Sequence, residues 1–205
     1  MITIKSGIMT GSFDVKKVSE YNPCITAYLL VADALGCNLV LENLTDKDKK
    51  IAESILDVIE ESGGIIHKEK DKLWAKQTGV MKAVEVDNLP CPEMIIPVAV
   101  LCCFLKGESI IKNAITLRTG KVDLLKGLVA ELSHLGADIR VEGNALKIRG
   151  KQVLSADACY SWNSEEISLA VLLASLRTEG ELILMGENSD IIVKIFEKYK
   201  NFEKK

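Results

Sequence analysis

Three stretches of the chain, 27–35, 95–105 and 167–176, are apolar on nearly every side. Helices of that composition have no face to give to water and belong in an interior. Each stretch runs to a glycine and then to a short strand-like run. Gly36 precedes Leu39-Val40-Leu41, Gly107 precedes Ile110-Ile111, and Gly180 precedes Leu182-Ile183-Leu184. The three glycines stand about 70 residues apart, the signature of an internal repeat. Gly63 and Gly136 keep the same interval and each closes a one-sided helical pattern. In the second pattern Val122, Leu125, Val129 and Leu132 share one face, while Lys121, Lys126 and Glu131 lie off it. Ile192, Ile195, Phe196 and Tyr199 repeat that spacing.

Each unit therefore predicts an extended segment, a buried helix, a strand, a half-exposed helix and a hairpin. The units fall at about 12–76, 82–150 and 153–205. The third stops after its second helix, and residues 2–9 are expected to supply the strand it lacks. The fold class expected is α/β (α+β), one lobe over 1–205, with its apolar helices at the centre.

The helix starts carry the functional expectation. Asn22 followed by Pro23 reads as an N-cap with proline at the first helical position. Pro92-Glu93 opens the second apolar helix, and Asn163 with Glu166 reads as a capping box for the third. Units related by a threefold axis bring all three starts to one end. Helix N-termini attract anions, so that end is the expected ligand site.

Composition narrows the classes. With 205 residues, 48% hydrophobic and 27% charged, the chain suits one sizeable globular domain. Its net charge is −3, and its lysines alternate with acids, as in 68–72, which excludes a nucleic-acid surface. The longest apolar run, 94–105, contains Pro97 and is too short for a bilayer. No signal peptide precedes it, so a cytoplasmic protein without a membrane partner is expected. Cysteines 24, 37, 91, 102, 103 and 159 form no C-x-x-C pair, and His67 and His134 stand alone. Buried reduced thiols, with no metal and no cofactor, are the expectation.

Three segments in order then resemble one family. They are Phe13-Asp14-Val15 with Tyr28 to Gly36; Val86-Asp87 with Pro92-Glu93; and Arg118-Thr119-Gly120-Lys121-Val122-Asp123 with Glu131-Leu132 to Ala137. They are similar to the G-D-x-S-S-A, P-D, R-x-K-E-x-D-R and E-L-x-x-x-G-A motifs of the 5-enolpyruvylshikimate-3-phosphate synthase family, in its C-terminal lobe. The resemblance implies three βαβαββ units around a pseudo-threefold axis with parallel buried helices. It also implies transfer of an enolpyruvyl group from phosphoenolpyruvate to shikimate 3-phosphate in a cleft between two lobes. Such a cleft needs several cations and a carboxylate for proton transfer.

Carried over by position, Glu93 takes the carboxylate role and Lys121 stands beside the family's lysine position, which is Gly120 here. These two are the catalytic candidates. The substrate-binding positions are Asn22, Arg118, Asp123, Glu165, Glu166 and Asp190. Most are substituted: Asn22 replaces an aspartate, Cys24 and Ile25 replace the serines, and Ser164-Glu165-Glu166 replaces D-H-R. Asp190 falls near the family's lysine, with Lys194 one turn on. Two glutamates where a phosphate belongs reverse the field, at about 1 kcal/mol per contact in water and about four times that at a protein surface.

Structural roles are expected beside the chemical ones. Glu93, Glu165 and Glu166 satisfy helix starts, Arg118 pairs with Asp123, Trp74 anchors a hairpin and Trp162 a loop. Asp46 and Asp48 form a solvated helix start. The functional expectation is a repurposed binding or assembly lobe that is not catalytic alone. The alternative is half of a split enolpyruvyl transferase, completed by a second lobe or a homodimer partner. A loop-cysteine enolpyruvyl transferase is disfavoured because Cys91 abuts Pro92 at a helix start, and an RNA 3′-phosphate cyclase because no histidine matches its nucleophile.

Overall fold

The computed structural model describes residues 2–187 apart from 6, 8, 20, 21, 78 and 119. Strands β1 (Ile2–Lys5) and β2 (Thr10–Asp14) lead through the short helix α1 (Val15–Ser19) into α2 (Ile25–Ala34). Next come β3 (Asn38–Glu42), α3 (Asp46–Glu61) and a hairpin of β4 (Ile65–Glu69) and β5 (Lys72–Lys76). Strand β6 (Glu85–Val86) precedes a 3-10 turn (Pro92–Met94) that runs straight into α4 (Ile95–Cys102). After it follow β7 (Glu108–Ile111), a second 3-10 turn (Ala114–Arg118), α5 (Leu124–His134) and a hairpin of β8 (Asp138–Glu142) and β9 (Ala145–Arg149). The last described part holds β10 (Leu154–Ser155), β11 (Ala158–Tyr160), α6 (Glu165–Ser175), β12 (Thr178–Glu179) and β13 (Glu181–Met185).

Two four-stranded sheets share one connectivity, β2-β3-β5-β4 and β6-β7-β9-β8. In each the first pair is parallel and the other two are antiparallel. A parallel pair needs a crossover, and the apolar helix supplies it. The third sheet, β11-β13-β1, begins the same way, with β11 parallel to β13 around α6. Here β1 pairs antiparallel with β13, Ile2 opposite Leu184 and Lys5 opposite Glu181. The chain's first strand thus takes the place that β5 and β9 take in the other two sheets, as expected of residues 2–9.

The strands bury one face each. Leu39 and Leu41 of β3, Leu73 and Ala75 of β5, Leu146 and Ile148 of β9, and Leu182 and Leu184 of β13 all turn inward. Every residue of α2 and α4 is buried, as is α6 from Ile167 onward, and the three helices touch one another. The chain leaves them through Gly36, Gly107 and Gly180, whose φ values of 109°, 117° and 99° a side chain would strain. No described helix is long and apolar enough to cross a membrane.

Several details differ from the pattern-based expectations. Helix α2 begins at Ile25, and Asn22 stands outside it, accepting the Cys24 N–H on its own Oδ1 at 2.9 Å. The proline ring lies in the turn before the helix because that local hydrogen bond bends the chain first. Ser164, not Asn163, caps α6 and accepts the Ile167 N–H at 3.2 Å. Asn163 is held with Trp162 in a left-handed turn, φ 50° and 55°. Val122 precedes α5 and does not belong to its face. Asp48 is buried at the start of α3 in a capping box with Thr45, whereas Asp46 is solvated. The one-sided pattern at 192–199 lies outside the described residues.

Two carboxylates are buried against their pattern because each is matched by donors. Asp33 accepts the Leu39 N–H at 2.9 Å and the Ala75 N–H at 2.6 Å, tying α2 to both β3 and β5. Glu131 of α5 accepts the Tyr160 N–H at 2.9 Å and the Trp162 Nε1–H at 2.7 Å, tying α5 to the segment that precedes α6. Trp162 is therefore a loop anchor, and Trp74 stacks on His67 across the β4–β5 hairpin at 5.1 Å.

Burial pushes Asp33 up from 3.8 to about 6, while the two backbone N–H groups work against that rise. The folded state thus holds this proton more tightly than the unfolded chain. Asp33's contribution is greatest below pH 3.8 and falls as pH rises through about 6. Asp33→Asn, with a single acceptor oxygen, is expected to cost about 1–3 kcal/mol in urea unfolding and to flatten the pH dependence across that window. Glu131→Ala is expected to cost a similar amount, about 1–3 kcal/mol, and to shift Trp162 emission to the red in a Trp74→Phe background.

Candidate functional site

The starts of α2, α4 and α6 meet at one end of the lobe, as the helix-start argument expects. Asn22 donates from Nδ2 to Glu165 Oε1 at 3.1 Å, joining the first start to the third. Cys24 and Cys91 bring their sulfurs to 3.3 Å, joining the first to the second. The Tyr28 hydroxyl, one turn down α2, donates to the Glu166 carbonyl at 3.4 Å. These six residues come from three distant segments of the chain, and only the packing of the three helices unites them.

The chemistry of this end is acidic and thiol-rich. Glu165 and Glu166 occupy the first turn of α6, where a carboxylate gains about 0.3–1 kcal/mol from the helix dipole. Ser164 Oγ donates to Glu166 Oε2 at 2.6 Å while capping the helix. Both glutamates thus lie where a helix start favours a carboxylate. Burial raises the Tyr28 hydroxyl pKa well above its usual range, and Glu166, Cys24, Glu165 and Glu93 add to that rise.

The two thiols are hydrogen-bonded to each other. The hydrogen bond to Cys91, then burial, raises the pKa of Cys24, while the same bond lowers that of Cys91. Glu93, in the 3-10 turn that opens α4, joins them: its carboxylate and the two sulfurs lie within 4.8 Å of one another. Neither histidine takes part in this cluster. Sequence reasoning found no spaced ligand pair because Cys24 and Cys91 come from two different units, and the potential donor set exists only in three dimensions.

The remaining candidates form a separate neighbourhood. Arg118 ends the second 3-10 turn and pairs with Asp123 at 3.8 Å, both partly exposed. Asp123 also caps α5, accepting the Lys126 N–H at 2.8 Å. A pair this exposed holds its partners by less than about 1 kcal/mol, so Arg118 stays available to a stronger anion. Arg118, Asp123 and Lys126 line a groove of about 290 Å³. Lys121 is exposed in the bend between Arg118 and Asp123. The two 3-10 turns pack on each other, which sets the Arg118 segment beside the Glu93 segment. Asp190 lies outside the described residues.

A groove of about 550 Å³ that the sequence did not suggest opens between α3 and the β4–β5 hairpin. It gathers Lys16, Lys49, Lys68, Lys70 and Lys72 with Glu53 and Asp71. Lys72 is bound to Glu42 at 2.7 Å. The cations are thus spread over α1, α3 and the hairpin wall.

Comparison with known proteins bears on these positions. Residues 23–201 match the family model described as EPSP synthase (3-phosphoshikimate 1-carboxyvinyltransferase). The 3-phosphoshikimate 1-carboxyvinyltransferase of Methanocaldococcus jannaschii is 31% identical over 164 residues, 80% of this chain and 38% of that protein. Its counterpart in Clostridium novyi is 31% identical over 179 residues, 87% of this chain and 40% of that protein. Among solved structures, the enolpyruvyl transferase NikO from Streptomyces tendae superposes with a TM-score of 0.70 at 15% identity, covering 88% of this chain and 42% of that one. EPSP synthase from Acinetobacter baumannii gives 0.64 at 15% identity, covering 87% and 43%. At that identity the structural likeness establishes the fold alone. The chain spans about two fifths of the length of the curated relatives it matches. With its repeated sheets, buried crossover helices and a family match over most of its length, the chain belongs to the EPSP synthase family and has the enolpyruvyl transferase fold.

Proposed function

We propose that this chain is an enolpyruvyl transferase lobe, of three units at 12–76, 82–150 and 153–205, whose helix-start face serves as a binding or assembly surface. On this reading the chain does not carry out enolpyruvyl transfer by itself. The observation that carries the reading is the acidic start of α6. Glu165 is bound to Asn22, Glu166 is bound to Ser164, and Glu93 stands at the neighbouring start. A pair of phosphorylated, carboxylated substrates meets three carboxylates there. Each close like-charge contact costs about 1 kcal/mol in water and about 4 kcal/mol near a protein surface. The dipole of α6, which attracts anions, is already compensated by Glu165 and Glu166 in its first turn. Buried, reduced thiols suit a cytoplasmic setting for such a lobe.

A second reading has one specific observation in its favour. Arg118 and Lys121 are exposed beside Asp123, on a segment packed against the turn that bears Glu93. Joined to a second lobe or a second copy of the chain, these four residues supply two cations and a proton-transfer carboxylate. The activity for which the relatives are named, 3-phosphoshikimate 1-carboxyvinyl transfer, would then proceed in the completed cleft.

Calorimetric titration with phosphoenolpyruvate and shikimate 3-phosphate, separately and together at low salt, decides between the readings. The expected outcome for the chain alone is no saturable heat up to about 1 mM, a binding free energy weaker than about −4 kcal/mol. Saturable heat that Arg118→Ala abolishes would overturn the first reading and support the second.

A further inference from the structure

The convergence of the helix starts does more than remove an anion site. It places Cys24 Sγ, Cys91 Sγ and a Glu93 carboxylate oxygen within 4.8 Å of one another. We propose that these three groups bind a thiophilic divalent metal ion of the zinc class, with a fourth coordination position open to solvent or a small donor ligand. The inference rests on the reading of this face as a site for something other than two polyanions, and it names the class of ligand.

The geometry is close to what such an ion requires. Tetrahedral zinc holds thiolate sulfur at about 2.3 Å and carboxylate oxygen at about 2.0 Å, which sets two bound sulfurs about 3.8 Å apart. Cys24 and Cys91 stand at 3.3 Å, so the sulfurs need to part by about 0.5 Å. Cys91 and Glu93 flank Pro92 in one short turn, whose restricted backbone keeps their side chains together.

The third donor is fixed from outside the cluster. Cys24 is buried, its N–H is held by Asn22 Oδ1 at 2.9 Å, and Asn22 is held in turn by Glu165 at 3.1 Å. Hydrogen-bonded supports of this kind orient ligands and tune metal affinity. They also give Asn22 and Glu165, substituted relative to the family motifs, a joint purpose.

Charge and softness select the ion. Two thiolates prefer zinc-class metals over magnesium or calcium, which favour all-oxygen sites. Each thiol releases its proton to solvent as the ion binds. Glu93 adds negative field at Cys24, and Lys47 is the cation whose field reaches it. A dication balances an end of the lobe where the protein otherwise gathers carboxylates and sulfurs.

The test is a Co²⁺ titration of the reduced full chain under argon, followed by displacement with Zn²⁺. The expected result is one Co²⁺ per chain, with thiolate-to-cobalt charge-transfer bands and strong visible bands of tetrahedral cobalt, both erased by Zn²⁺. Cys24→Ser and Cys91→Ser should each remove the charge-transfer bands attributable to the pair. Glu93→Gln, a partly exposed change compatible with folding, should weaken binding by at least roughly the 10-fold that loss of an outer-layer partner costs. The inference is overturned if no such bands appear up to about 1 mM Co²⁺, a binding free energy weaker than about −4 kcal/mol. Binding undiminished in Glu93→Gln and in either cysteine variant also overturns it, as does recovery of the pair as a disulfide, two hydrogens lighter, that takes up no metal after reduction. Substrate heat in the calorimetric titration would sink the reading of the face, while absent cobalt bands sink only the metal site.

Discussion

The rest of this lobe depends on three helices that have no wet side. Helices α2, α4 and α6 are buried almost from end to end, and each fully buried Leu, Ile or Val contributes about 1.5–3 kcal/mol that surface exposure would forfeit. Only a sheet over each outer side and the other two helices on the inner side can enclose them. Each helix is also the crossover between two parallel strands, so its direction is tied to its sheet. With three similar crossovers around one core, the three starts arrive together at one end. Whatever polar residues the chain carries at those starts are forced into each other's company.

That constraint explains the contrast between two kinds of carboxylate. Asp33, Asp48 and Glu131 lie inside the protein, and each is matched to backbone or side-chain donors that make its burial tolerable. They fasten helices to strands and to the next segment, and they have no surface to offer a ligand. Glu93, Glu165 and Glu166 instead gather at a partly open end around two cysteines. Cations line the α3–hairpin groove and the Arg118 segment, and the field of Lys47 reaches Cys24. The helix-start end is rich in carboxylates and thiols. The family's scaffold persists because it rests on apolar burial, to which the residues at the helix starts contribute little.

What the sequence by itself determined is the skeleton. Runs of Leu, Ile, Val and Ala with no polar face specify an interior helix wherever they occur, and glycines at a regular interval mark where each ends. From these came the repeated sheets and the need for residues 2–9 to complete the third. The meeting of the helix starts followed from the repeat, and the Arg118–Asp123 pair and the anchoring by Trp74 and Trp162 were legible from turns and neighbouring residues. Cap positions were missed by one or two residues, at Asn22 and Asn163, because an Asx-type turn and a left-handed turn compete locally with the cap. The burial of Asp33 and Glu131 was not legible, since the donors that permit it come from other strands and segments. Tertiary structure alone decided that Cys24 meets Cys91 and Glu93. The repeat brings the starts of two buried helices to one end, but only their packing side by side sets the two sulfurs, 67 positions apart in the chain, in contact.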